Sequence, residues 1–265
     1  MSLTFTILGC GSSAGVPRVG QGWGACDARN PKNRRRRCSL LIERVGNDGA
    51  KTIAVIDTSP DLREQFLDAD VRRLDAIFIT HAHADHTHGV DDVRPIVQEM
   101  GRRVDIFMDE ATSRVVRPSF AYIFQTPPGS LYEPLLTERR LHPGEVCKIE
   151  GPGGPIDFLP FRLNHGEIDS LGFRIGGVAY TPDLNGVPDE SLAFLENLDL
   201  WIVDALRYTR HSSHFSVEET FAHVARFAPK RTVLTDLSAD LDYQSLLDRA
   251  PKGVEVAHDG MRLEI

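Results

Sequence analysis

Residues 79 to 89 read ITHAHADHTHG, with four histidines and one aspartate in the eight positions from 81 to 88. Neutral imidazole and carboxylate are the ordinary ligands of zinc and of harder divalent ions. In an extended segment residues i and i+2 point to the same side, so His81 and His83 can grip one ion. Asp85 and His86 follow once the chain has turned, and adjacent residues there point towards a second. Further ligands must come from elsewhere. His165 ends FRLNHG, Asp183 ends VAYTPD and Asp236 ends TVLTD, each closing a strand-like run. Taken singly they have plainer readings, since a lone histidine after a strand is a common surface residue and Pro-Asp a common helix cap. Taken together they suggest one constellation.

The elements around these residues explain how they are positioned. LDAIFIT, directly upstream of the histidines, is a buried strand, and IAVIDT likewise turns from apolar to polar at its C-terminal end. Strand-like runs also occur at LTFTILG, CSLLIE, RVDIFM, PIDFLPFRL, LGFRIGGVAYT, LDLWIVDA and VEVAHDGMRLEI. Helical patterns lie between several of them, at SPDLREQFLDA, DDVRPIVQEM, DEATSRVVRPSFAYIF, PDESLAFLENL, SVEETFAHVARFA and DYQSLLDRA. Ser216 to Glu219 fits a capping box. With no Ser/Pro-rich linker and no repeat, the interleaving predicts one α/β domain over 1–265, helices covering sheet faces. Its chemistry belongs where the strands stop.

Composition narrows the partners. The formal charge of -8 disfavours a protein that holds nucleic acid through its phosphates, so no stable nucleic-acid complex is expected. A local metal site can still attract a small anion. No apolar run approaches the ~18 residues of a membrane span, and MSLTFTILG reads as a first strand, not a signal peptide. Cys10, Cys26, Cys38 and Cys147 are scattered without a CxxC pair, which reads as reduced thiols and a cytoplasmic location. Each is expected to be a small buried hydrophobe. A homodimer is left open.

THAHADHTHG fits the T-H-x-H-x-D-H-x-x-G signature and resembles the metallo-β-lactamase superfamily. The opening ILGCGSSAGVPR, RRRRCSLLIE, His165, Asp183 and HFSVEETFAHVARFAPKRTVLTDLSADLD extend the likeness across nearly the whole chain. It is strongest towards the phosphodiesterase branch, which includes RNase Z and, more similar still, the phosphoribosyl 1,2-cyclic phosphate phosphodiesterases. The resemblance implies a four-layer αβ/βα sandwich with two divalent ions, Zn²⁺ or Mn²⁺, at one edge. His81, His83 and His165 would hold the first ion, Asp85 and His86 the second, and Asp183 would bridge them. Asp57 matches the aspartate that orients the metal loop. His214 matches the catalytic histidine upstream of the last ligand, and Asp85 is counted with it among the catalytic residues. Two departures stand out. The last ligand, usually histidine, is Asp236. A cysteine cluster that with a histidine holds a structural zinc is reduced to GQGWGACDARN, and the position of that histidine is Ala239. That accessory site is expected to be absent.

Two ions ~3.5–4 Å apart can generate and aim a hydroxide at phosphorus. A histidine titrating near neutrality, here His214, can protonate the leaving ribose oxygen. The expected activity is hydrolysis of small, cyclic or linear ribose phosphodiesters or nucleotide-like substrates. tRNA 3′ processing is the alternative, although no Gly/Pro/Lys-rich arm lies between Gly89 and His165. A glyoxalase II or lactonase-type ester hydrolase is another, and a non-enzymatic binding module a fourth should Asp236 disable the second site. Among accessory features, the Gly9–Gly15 turn reads as tight structure before phosphate cradle, and Arg34 to Arg37 as a solvated face before a steering patch. Arg210 and His211 are weaker candidates beside His214. Phe120, Ile123 and Phe124 sit at helical spacing and read as core before a base-stacking surface.

Overall fold

A computed structural model describes residues 2–265. The N-terminal half contributes β1 (Ser2–Gly9), β2 (Ser39–Val45), β3 (Lys51–Ile56), β4 (Ala76–Phe78), β5 (Val104–Met108) and β6 (Leu136–Arg140). The C-terminal half contributes β7 (Cys147–Ile149), β8 (Ile156–His165), β9 (Ile168–Ile175), β10 (Val178–Thr181), β11 (Leu200–Asp204), β12 (Thr232–Thr235) and β13 (Val254–Val256). The last strand, β14 (Met261–Glu264), returns to pair with β1. Two seven-stranded sheets result, ordered β14-β1-β2-β3-β4-β5-β6 and β13-β12-β11-β10-β9-β8-β7.

Side-chain alternation builds the layers. On β1 to β4, Phe5, Ile7, Leu40, Ile42, Ala54, Ile56 and Phe78 face the opposite sheet, where Phe158, Phe173, Val178, Tyr180, Leu200 and Ile202 meet them. Phe78 stacks on Phe158 with ring centroids 4.1 Å apart, joining the sheets behind the site. The intervening residues, such as Leu41, Val55 and Ile77, face outwards. They are covered by α1 (Leu62–Asp68), α3 (Arg94–Met100), α4 (Glu110–Ser119) and α5 (Ala121–Phe124), the short α2 (Ala84–Thr87) lying at the strand ends. On the far side α6 (Val217–Phe227) and α7 (Tyr243–Arg249) cover Trp201, Val203 and Leu234. The architecture is the four-layer αβ/βα metallo-β-lactamase sandwich.

Several boundaries differ from the sequence reading. VEVAHDGMRLEI splits at a turn, and its halves, β13 and β14, join different sheets. PDESLAFLENL forms a 3₁₀ helix over Asp189–Leu195. DEATSRVVRPSFAYIF breaks at Phe120, whose φ of -125° and ψ of 37° leave the helical region. β6 and β7 carry no alternating apolar signal, and each pairs along one neighbouring strand, β5 and β8. The capping box at Ser216 forms, with Glu219 accepting from the Ser216 backbone N–H at 2.9 Å.

The arginine run resolves into separate jobs. Arg35 is 2% exposed and donates to the Ser238 carbonyl at 3.0 Å; Arg36 and Arg37 pair with Asp68 and Asp61. Only Arg34 is freely exposed, so the run is neither a solvated face nor a steering patch. The Gly9–Gly15 turn is tight structure: a Cβ on Gly9 would lie 2.1 Å from the Arg37 carbonyl oxygen.

Candidate metal centre

β3 to β6 run parallel, as do β10 to β13, and the site collects at their C-terminal ends. Asp57 follows β3, His81 to His86 follow β4, Asp183 follows β10, Asp204 ends β11 and Asp236 follows β12. His165 ends β8 and brings the antiparallel part of the second sheet to the same edge. Asp57 and Asp236 adopt left-handed backbone, with φ of 66° and 56°. For residues other than glycine that conformation is uncommon, and aspartate tolerates it better than most.

Asp57 organises the histidine loop. Fully buried, it accepts from the Thr80 backbone N–H at 2.8 Å and from the His86 Nδ1–H at 2.7 Å. This fixes the His86 ring with Nε2 directed inwards, 3.3 Å from Asp85 Oδ2 and 3.3 Å from Asp183 Oδ1. Opposite, His81 Nε2 lies 2.9 Å from His83 Nδ1, which lies 3.3 Å from His165 Nε2. Asp183 Oδ2 completes the group at 3.9 Å from His81 and 3.7 Å from His165. Donors ~2.1 Å from one tetrahedral ion stand roughly 3.4 Å apart, so these spacings suit a shared ion. His165 Nδ1–H donates to the Ser213 carbonyl at 2.7 Å, holding its ring from behind.

The donor chemistry also fits a cation. His86 Nε2, Asp183 Oδ1 and Asp236 Oδ2 are shut off from solvent and have no hydrogen-bond partner among the described residues. Buried polar atoms are rarely left so. His81, His83 and His165 form one potential ligand group, and His81, His86 and Asp183 another. Asp236 is gathered instead with Asp204 and His214; no such group joins it to Asp85 and His86.

His214 stands on the open side. Its Nδ1 is 2.8 Å from Asp204 Oδ2 and 3.1 Å from Asp236 Oδ2, and its Nε2 is 3.8 Å from Asp183. Burial opposes its charge, but the Asp204 and Asp236 carboxylates prevail and the imidazole is pushed up to about 12. The two carboxylates thus favour the charged form of the ring. His86 is raised in the same way, with Asp183, Asp57 and Asp85 overcoming the cost of burial. His81 moves down, chiefly through burial.

Asp204 escaped the sequence reading. LDLWIVD ends an apolar strand on aspartate just as IAVID and TVLTD do, so the signal was there. His211 shares the cleft with His214, whereas Arg210 pairs with Glu219 at 2.8 Å. Ile123 is buried core; Tyr122, Leu131 and Tyr132 of the same stretch are exposed. The cleft holds 430 Å³ and is lined by His83, Asp85, His165, Asp183 and His214. Ser12, Ser13, Arg18, Gln21 and Arg207 also line it.

Comparison with known proteins agrees with this arrangement. A model of the beta-lactamase superfamily domain matches residues 52–235. A crystal structure of a diphosphatase from the PhnP family is 35% identical, covers 100% of this chain and 98% of its own, and superimposes with a TM-score of 0.89. Human tRNase Z, short form, is 18% identical, with 98% of each chain covered and a TM-score of 0.67, a likeness of fold. An octanoyltransferase of Porphyromonas gingivalis is 31% identical over 264 residues, covering 96% of this chain. The chain spans about half the length of that relative, 50%. None of the helices of the described residues is long and apolar enough to cross a membrane. The chain belongs to the metallo-β-lactamase superfamily.

Proposed function

We propose that this chain, acting as a single domain over residues 1–265, hydrolyses small ribose phosphodiesters, cyclic or linear. The observation that carries the reading is the convergence of two donor groups on Asp183 beside a protonated His214. Its likeness to the PhnP-family diphosphatase supports a phosphorus centre as the target. His81, His83 and His165 would hold one divalent ion, Asp85, His86 and Asp236 a second, with Asp183 between them. Zn²⁺ suits the first position and Zn²⁺ or Mn²⁺ the oxygen-richer second. When bound, such ions supply Lewis acidity and a nucleophile at neutral pH.

The rest of the chemistry belongs to the protein. Asp57 fixes the ring of His86, and the Ser213 carbonyl that of His165, so the donors are set before substrate arrives. Asp204 accepts from, and Asp236 faces, the Nδ1–H of His214, which leaves the proton on Nε2, on the Asp183 side, for delivery to the departing ribose oxygen. Asp204 is the positioning residue for that step. The open cleft takes a nucleotide-sized molecule, and a free small substrate in a cytoplasmic setting fits it better than a stable nucleic-acid complex.

A substrate panel tests the reading: bis-(p-nitrophenyl) phosphate, 2′,3′-cyclic nucleotides, pre-tRNA, a lactone and a thioester, each with metal-loaded protein. Turnover should be highest for the small phosphodiesters. Stronger cleavage of pre-tRNA, or faster ester than phosphodiester hydrolysis, would overturn it. His214→Ala should keep its metals and lose roughly 10²–10⁴ in rate on the cyclic nucleotides. With p-nitrophenolate as leaving group the loss should shrink, since that group needs no proton.

A further inference from the structure

We propose that His211 is a second catalytic histidine of the cleft, a neutral imidazole whose Nε2–H donates a hydrogen bond to the departing ribose oxygen beside His214. This deepens the phosphodiesterase reading and rests on it for the identity of that oxygen.

His211 lines the same cleft as His83, Asp85, His165, Asp183 and His214. Its ring centroid stands 5.2 Å from that of His214. Its Nδ1 is already engaged: the Ser213 backbone N–H donates to it at 3.3 Å, and the Ser213 hydroxyl lies 3.2 Å away. A backbone N–H can only donate, so this Nδ1 carries no proton. The ring is then neutral, and its single proton sits on Nε2. Among the described residues no hydrogen bond or ion pair uses that Nε2. Burial, the His214 cation and Arg207 all hold the imidazole below its ordinary range, in agreement with the neutral ring.

Two neighbouring histidines thus have unlike roles. Asp204 and Asp236 favour the charged form of His214, whereas Ser213 selects the neutral form of His211. Donors ~2.9 Å from a shared acceptor can stand up to roughly 6 Å apart, so rings at this separation can serve one substrate oxygen. In the step, water adds to phosphorus and loses one proton to solvent while the P–O bond to ribose breaks. The electron pair of that bond stays on the ribose oxygen, which takes the Nε2 proton of His214. His211 keeps its own proton and gives a hydrogen bond only, strongest while the oxygen carries charge. Ser213 ties this pair to the metal donors, since its carbonyl accepts from the His165 Nδ1–H at 2.7 Å. One residue therefore sets the ring of His165 and the tautomer of His211.

Two substitutions test the ring nitrogens one at a time. In His211→Gln the side-chain amide N–H can reach the place of Nε2. In His211→Asn the amide oxygen can replace Nδ1 as acceptor for Ser213, and the place of Nε2 is left without a donor. Both are compared with His211→Ala on metal-loaded protein, using 2′,3′-cyclic AMP and bis-(p-nitrophenyl) phosphate. On the cyclic nucleotide His211→Ala and His211→Asn should lower kcat by roughly tenfold to hundredfold with KM little changed, while His211→Gln keeps most of the rate. On bis-(p-nitrophenyl) phosphate, whose leaving group is stable as an anion, the losses should shrink. Elemental analysis should find the wild-type metal content in all three variants. Full rate in His211→Asn would mean that the ring only supports the Ser213 loop, and the proposal fails. It fails also if His211→Gln is no faster than His211→Ala, if the loss is equal on both substrates, or if His211→Ala loses metal. A wild type that turns over neither substrate removes the phosphodiesterase reading and this role with it. An active wild type matched by His211→Ala removes this role alone.

Discussion

Asp236 is the residue that most distinguishes this centre. Where the phosphodiesterase branch commonly has histidine, the chain places a carboxylate in left-handed backbone at the end of β12. Burial and the nearby Asp183 carboxylate raise its pKa, and a free acid there would be costly without a cation. Two groups answer that need. His214 Nδ1 lies 3.1 Å from Asp236 Oδ2, within ion-pair distance, and a divalent ion would further offset the buried carboxylate. Under the proposed assignment, Asp85, Asp183 and Asp236 would give the second position three carboxylates beside His86 alone. Oxygen-rich surroundings favour harder ions, so Mn²⁺ should compete with Zn²⁺ better here than at the histidine-rich first position. Metal analysis of Asp236→Ala should give one ion fewer than wild type, and Asp236→His should keep the number while shifting preference towards zinc. Two ions bound with unchanged affinity in Asp236→Ala would remove Asp236 from the ligand set.

At the scale of elements, the segment between β1 and β2 shows how a metal site can be lost without losing its loop. Cys26 and Ala239 pack together with Val16 and the partly buried Trp23. The Ala25 N–H donates to the Ala239 carbonyl at 2.8 Å, and Gly24 approaches so closely that a Cβ would lie 2.5 Å from that oxygen. Backbone pairing and apolar contact hold the loop at this point. Arg35 adds a buried positive charge nearby, 3.9 Å from Cys26 Sγ and bonded to the Ser238 carbonyl. Metal analysis should find at most two ions per chain, and Cys26→Ser should leave that number unchanged. A third ion lost in Cys26→Ser would contradict this account. These elements also show what the sequence could reveal. That His81, His83, Asp85, His86, His165 and Asp183 gather at one edge was legible because they cluster where apolar runs stop. β6 and β7 were not, since their pairing is a backbone matter with little side-chain pattern. The split of the last segment between two sheets was equally hidden, because only the turn at Asp259 and the far partner β1 decide it.

The whole molecule is two sheets with their ligands divided between them. His81, His83, Asp85 and His86 hang from the first sheet, His165, Asp183 and Asp236 from the second. Behind the site the sheets are joined by apolar packing such as Phe78 on Phe158. At the edge, however, the groups that face each other are imidazoles and carboxylates, and Asp183, Asp204 and Asp236 lie close enough to disfavour one another's charge. His86 and His214 offset part of that repulsion. Ions held by ligands from both sheets would offset the remainder and tie the edge together. A ligand that binds only the folded state at a thousand times its Kd stabilises by about 4 kcal/mol. For a chain of this size each kcal/mol moves the midpoint by roughly 2–4 °C. Exhaustive chelation should therefore lower the thermal midpoint by roughly 5–15 °C, and adding back Zn²⁺ or Mn²⁺ should restore it. In His165→Ala, which weakens the second sheet's hold on the first ion, the drop on chelation should be smaller. A wild-type midpoint that does not change, with metal loss verified by elemental analysis, would mean that packing alone closes the two sheets and the ions serve chemistry only.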